Sequence, residues 1–281
     1  MARTRLSIVR IVWGMIVALV LFGCEGGGNA NSPDSITISP IARYRLTTDH
    51  LFSQHVEDDY ALLIYLPPGY DDADQDFPVV YALDMAFQSQ QQAIDATLAT
   101  LGQPVIVVGL GKPGRRDLDY TPDRGPTTPE GYGGAANFYN FLAFELIPYI
   151  DANYHTDETN RTLIGHSYGG LFTLFALLSE GADQRHFNAF IASSPTIGFA
   201  ADLLVDMEAA MFERSRELPV TLHLSTGQEG QLTEECQAIA TLLVSHGYDK
   251  LFLMMSEFPV SHMDNIAPSY LQGLQLIYGV K

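Results

Sequence analysis

Residues 165–170, Gly-His-Ser-Tyr-Gly-Gly, contain the pattern G-x-S-x-G centred on Ser167. An apolar run, Arg161 to Ile164, precedes it and a helix-forming segment opens at Tyr168, giving the strand, sharp turn and helix that a nucleophile elbow requires. The requirement is steric: the serine takes a strained conformation, and a side chain at Gly165 or Gly169 would collide with the neighbouring strand and helix. Such a turn lifts Ser167 Oγ above the sheet and sets the N–H of Tyr168 beside a reacting carbonyl. The chemistry this supports is nucleophilic attack on an acyl carbon; the alternative is a tight glycine turn with a capping serine.

A serine hydroxyl is a poor nucleophile without a base, and elbows of this type run in the order serine, acid, histidine. Of eight histidines, His186, His223, His246 and His262 follow Ser167. His186 lies in a helix-to-strand linker ahead of any candidate acid, His223 lies inside a strand, and His246 precedes Gly247 at a helix end, where it would cap carbonyls. His262, in Pro259-Val-Ser-His-Met-Asp264, falls between the last strand and the last helix, at the sheet edge that carries Ser167, and is the expected base. For the acid that orients it, Glu229 stands at a strand end in Ser225-Thr-Gly-Gln-Glu229-Gly; Asp264, Glu234 and Glu235 compete with it, and a dyad without an acid stays open. An oxyanion hole needs a second N–H from the loop after an earlier strand. Tyr81-Ala-Leu-Asp84-Met85 ends one, so the amide of Met85 is expected to partner that of Tyr168.

Elements able to position these groups are legible in the periodicity. Residues 60–66, 77–83, 104–110, 161–164, 188–193, 219–225 and 250–257 are short apolar, β-branched runs that read as buried strands. Helical spacing marks 87–99, 135–150, 168–180, 200–215, 231–246 and 265–279. This alternation implies an α/β fold with a mostly parallel central sheet flanked by helices on both faces. Residues 111–134, rich in Gly and Pro, read as an irregular loop that overhangs the carboxyl edge of the sheet and covers Ser167. Gly109 to Gly114 spells G-x-G-x-x-G after a strand, but the chain then enters this loop instead of the helix a dinucleotide requires. With no H-E-x-x-H, paired C-x-x-C or phosphate-binding G-x-x-x-x-G-K-[ST] pattern, no metal or nucleotide cofactor is expected.

Charge excludes other functions. The 281 residues carry 15 Lys plus Arg against 33 Asp plus Glu, and Arg3, Arg5 and Arg10 precede residue 24, so the remainder stands at 12 minus 33, or −21. A body this acidic repels nucleic-acid phosphates and anionic lipid surfaces. Residues 1–23 combine three arginines with an uncharged apolar run over 11–23, too short to span a bilayer and of signal-peptide dimensions. The run ends Leu21-Phe-Gly-Cys24, similar to a lipoprotein processing site, which makes Cys24 the expected lipid-bearing residue and the cell envelope the expected location. Glu25, in place of an aspartate linked to inner-membrane retention, favours the outer membrane. Residues 24–35 read as a flexible tether and 36–281 as one domain. The other cysteine, Cys236, is expected only to pack.

From about residue 45 to 278 the chain resembles the esterase family of the α/β-hydrolases that includes enterobactin-type and bacillibactin-type siderophore esterases. The resemblance rests on Leu66-Pro-Pro-Gly-Tyr70, Pro78-Val-Val-Tyr-Ala-Leu-Asp84, Arg116-Asp-Leu-Asp-Tyr-Thr-Pro122, Phe141 to Ile150, Arg161 to Gly170 and His262. It implies the α/β-hydrolase fold, catalytic roles for Ser167 and His262, the acid at Glu229, and a substrate mouth lined by Arg116 and Tyr120. The implied partner is a small-molecule ester. Met85 stands where the family has glycine, and Thr196-Ile-Gly-Phe199 stands where it has serine and a nearby tryptophan; Trp13 is the sole tryptophan. A generic carboxylic ester is therefore expected ahead of a siderophore trilactone, with acyl transfer to an alcohol, or a silent lipid-anchored binding protein, as the alternatives.

Overall fold

The structure, a computed structural model, describes residues 44–72, 74–181 and 185–279. The expected leader, Cys24 and the tether lie outside these residues. Eight strands form a single sheet: β1 (Arg45–Ser53), β2 (Asp58–Leu66), β3 (Phe77–Ala82), β4 (Ile106–Gly109), β5 (Thr156–His166), β6 (Ala189–Ser193), β7 (Thr221–Thr226) and β8 (Phe252–Glu257). Their order is β1-β2-β4-β3-β5-β6-β7-β8, antiparallel at β1–β2 and β2–β4 and parallel from β4 onward. The central strands β3, β4 and β6 are buried at every residue, as strands covered on both faces must be. Helices α1 (Gln88–Leu98) and α8 (Ile266–Tyr278) pack against each other on one face through Ile94, Leu98, Tyr270 and Leu274. The opposite face carries α3 (Ala135–Phe141), α5 (Tyr168–Ser179), α6 (Ala201–Arg214) and α7 (Gln231–His246) over the larger core.

One strand is not read from the sequence and two expectations need correction. The edge strand β1 has no apolar run to announce it: its sequence is RLTTDHLFS, and most of its residues remain open to solvent. The expected helix over 135–150 is interrupted by a π-helical turn, Leu142–Leu146, before α4 (Ile147–Asn153). Pro148 lies in the first turn of α4; it lacks an N–H and its ring crowds the preceding turn, so the wider turn absorbs the misfit. Residues 111–134 are not irregular throughout, since they contain a 3-10 turn (Pro113–Arg115), the short helix α2 (Arg116–Tyr120) and a second 3-10 turn (Gly125–Thr127). Lys112 and Arg115 tie this segment to Asp58 of β2, at 2.5 and 3.6 Å.

Candidate active site

Strand β5 runs through Gly165 and His166, so Ser167 is the corner between β5 and α5. Its backbone has φ 59° and ψ −117°, a conformation serine adopts only when its surroundings impose it. A Cβ at Gly165 would lie 2.3 Å from the carbonyl oxygen of Gly169. The second indispensable glycine is Gly170, whose Cβ would lie 2.9 Å from Ser193 O; at Gly169 the closest atom is Asp84 Oδ2 at 3.3 Å. Among the described residues the Ser167 hydroxyl bonds to Thr196 Oγ1 at 3.2 Å and not to His262. Reaching the histidine takes a rotation of the serine side chain, as in many substrate-free hydrolases.

His262 lies against the elbow, its ring centroid 4.6 Å from that of His166, the residue before Ser167. His262 Nδ1 is 2.9 Å from Glu229 Oε2, so of the candidate acids the structure brings Glu229 to the histidine. Two of the competitors are occupied elsewhere: Asp264 accepts the Ser261 hydroxyl at 2.6 Å, and Glu235 receives the N–H of Gly198 at 2.8 Å. Burial alone would push the Glu229 carboxyl up, but hydrogen bonds from Ser194, His262 and the N–H of Gly227 outweigh it and hold Glu229 below the usual glutamate range. Burial, with repulsion from His262 and Arg116, drives His166 down to about 3, so this neighbour stays neutral when His262 takes up a proton. His246 does not cap its helix; its ring pairs with Glu208 at 2.7 Å and stacks on Phe212, and Gly247 closes the helix in the left-handed conformation.

The corner after β3 overturns two expectations. The N–H of Met85 donates to Leu110 O at 3.0 Å, and the Met85 side chain is fully buried against Gly109, so this amide is already taken. The N–H of Asp84 donates to Tyr120 Oη at 3.2 Å, and that of Phe87 closes a turn onto Asp84 O at 2.9 Å. Ala86 remains: it is exposed, and among the described residues its N–H has no partner, like that of Tyr168. Tyr120 therefore does not line a mouth but is a buried support of the β3 corner.

Arg116 is likewise a strut. Its Nε bonds Asp84 Oδ1 at 2.9 Å and its Nη2 bonds His166 O at 3.3 Å, so one guanidinium joins the β3 corner to the strand end that carries the nucleophile. Its Cζ lies 5.4 Å from the Tyr168 ring centroid. What does line the nucleophile's flank is an aromatic group missed in the sequence because its members are far apart in the chain. Tyr132 and Phe199 stack with centroids 5.4 Å apart, and Tyr168 meets Phe199 edge-on at 5.7 Å. Arg124 lies over the Phe199 ring at 4.2 Å with no carboxylate partner among the described residues, its Nε buried and unbonded. The loop from 112 to 134 thus reaches Tyr168, the residue after the nucleophile, through Tyr132, and Phe199 through Arg124. Among the described residues no cluster of three or more His, Cys, Asp or Glu could hold a metal ion.

A family model described as Putative esterase matches residues 53–232, more than half of the chain. The chain belongs to that family. The matched segment of this esterase-family chain holds Ser167 and Glu229 and ends before His262. Among curated relatives, a ferri-bacillibactin esterase of Bacillus subtilis is 28% identical over 54% of this chain and 60% of its own length. A siderophore triacetylfusarinine C esterase of Aspergillus fumigatus is 35% identical over 40% of each protein. The chain thus spans about half the length of the curated relatives it matches. In fold it is similar to an IroE-like serine hydrolase from Shewanella oneidensis, with a TM-score of 0.71 at 22% identity over 83% of this chain and 80% of that one.

Proposed function

We propose that this chain is a serine carboxylic ester hydrolase. The observation that carries the reading is the His262–Glu229 bond set beside an elbow that holds Ser167 at positive φ. Ser167 Oγ attacks the ester carbonyl, His262 takes its proton and returns it to the leaving alcohol, and Glu229 steadies the imidazolium. The N–H groups of Tyr168 and Ala86 receive the oxyanion. Water, activated by His262 in the second half-reaction, then releases the acid. Ala86→Pro deletes one oxyanion donor and is expected to lower kcat by about 10²- to 10³-fold with little change in KM. Steady-state kinetics check this, and an unaltered kcat sends the donor role elsewhere.

The substrate class follows from the flank of the nucleophile. An ester whose acyl part carries an aromatic ring with an anionic substituent suits Tyr132, Phe199 and the uncompensated Arg124. Phe199→Ala and Arg124→Ala are expected to lower kcat/KM for hydroxybenzoyl esters by about tenfold or more while leaving short aliphatic esters within a few-fold. Equal losses on both ester types refute this selectivity.

We further propose that a lipid on Cys24 tethers the domain to the bacterial envelope, the outer membrane in particular. The leader pattern supports the proposal, and among the described residues no helix is long and apolar enough to cross a membrane. Two acyl chains anchor stably where one is marginal. Cys24→Ser is expected to move the protein from the membrane to the soluble fraction; retention in the membrane pellet, or an unmodified Cys24 by mass spectrometry, contradicts the anchor.

A further inference from the structure

Glu229 presents one oxygen to His262, and its other oxygen leads to residues that the mechanism has not used. Ser194 Oγ donates to Glu229 Oε1 at 2.6 Å. Ser194 has φ 41°, a left-handed conformation rare for a residue with a side chain, and its N–H is held by Ser225 O at 2.7 Å. Behind it stands Asn265, wholly buried and three residues after His262. Asn265 Nδ2 lies 2.8 Å from Ser194 Oγ and 3.2 Å from Ser193 Oγ, with Ser225 Oγ at 3.4 Å. A hydroxyl carries one proton, so Ser194, accepting from Asn265, has its own proton committed to Glu229. The amide thereby links the ends of β6 and β7 to the turn that bears the histidine.

We propose that Ser194, braced by Asn265, is a positioning residue that holds Glu229 in the orientation in which its second oxygen faces His262 Nδ1. The inference rests on the ester-hydrolase reading. It accounts for a strained serine directly after a buried strand, which packing alone does not require. It also accounts for a buried amide aimed at three hydroxyls in place of an apolar side chain, an arrangement that stabilises only when its donors are matched. Removing the Ser194 donor makes the carboxylate more basic, so the His262–Glu229 pair holds its proton to higher pH. The titratable groups facing Glu229 are His262 and, from α7, the buried thiol of Cys236, which burial pushes well up and keeps neutral.

Ser194→Gly removes the hydroxyl and suits the positive φ, so the backbone is kept. Expected in hydrolysis of p-nitrophenyl esters are a kcat lowered about 10- to 100-fold, KM within about twofold, and an acid limb of the pH–kcat profile moved to higher pH. In a Glu229→Ala background the same change should add less than about twofold, because the two groups act as one unit. Asn265→Ala should move the acid limb in the same direction, which covers the case in which Ser194→Gly does not fold. A wild-type pH profile in both variants, or a full additional loss in the Glu229→Ala background, overturns the proposal. Absence of turnover in the wild-type protein would instead refute the ester-hydrolase reading beneath it.

Discussion

Ser167→Ala is expected to reduce turnover of p-nitrophenyl esters by on the order of 10⁴- to 10⁶-fold while the protein keeps its far-ultraviolet circular dichroism and its melting temperature within a few degrees. The size follows from the mechanism: without Oγ no acyl-enzyme forms, and what remains is water attack assisted by the two backbone donors and by substrate binding. Stability should hold, because the Ser167 side chain contributes one 3.2 Å contact to Thr196, while its backbone N–H still donates to Ser193 O at 2.9 Å. Alanine keeps the φ of 59° that the serine already bears, so that strain is common to both proteins and cancels in the comparison. Activity within tenfold of wild type would remove Ser167 from the chemistry, and with it the whole assignment.

That the chain marks the residues proposed as nucleophile, base and acid has a physical basis. A buried parallel strand must be an almost unbroken apolar run, the elbow must have glycine where a Cβ would strike backbone, and loops after such strands share one edge. These constraints act on side-chain identity and leave marks at Gly165, Ser167, Glu229 and His262. The oxyanion donors are backbone groups, which leave none. Choosing Ala86 over Met85 required knowing that Leu110 O already holds the Met85 amide. Polar residues with buried tasks were misread for a related reason: Arg116 and Tyr120 lie in a loop of surface composition, yet one braces the elbow and the other is 1% exposed beneath the β3 corner. The strand β1 stayed hidden because an edge strand open to water needs no apolar run. Tertiary pairing decided each of these, and it is the part of folding that local sequence records least.

The Arg116 strut predicts the largest loss of stability. Arg116→Met leaves Asp84, a residue 2% exposed at φ 60°, without its charge partner. An orphaned buried charge costs about 3 kcal/mol or more, which in a domain of this size lowers the melting temperature by roughly 6 to 12 °C. The cost depends on pH in a definite direction. Burial pushes the Asp84 carboxyl up to about 6, against the attraction of Arg116 and with repulsion from Asp117 adding to it. A carboxyl whose pKa is higher folded than unfolded binds its proton more tightly in the folded state, so it weakens the fold as pH rises from about 4 through 6. Removing Arg116 takes away the attraction and raises that pKa further. The deficit of the variant relative to wild type should therefore be largest near pH 8, shrink on acidification towards about 6, and level off below that. Asp84→Asn in the same chain, which tolerates the positive φ and carries no charge, should recover most of the loss. Because Asp84 and Tyr120 set the corner that offers the Ala86 N–H, kcat of Arg116→Met should fall alike for aromatic and aliphatic esters, unlike the selective losses expected at Arg124 and Phe199. Melting curves from pH 5 to 8 with parallel kinetics decide it: a deficit independent of pH, or a loss confined to aromatic esters, would return Arg116 to the substrate mouth.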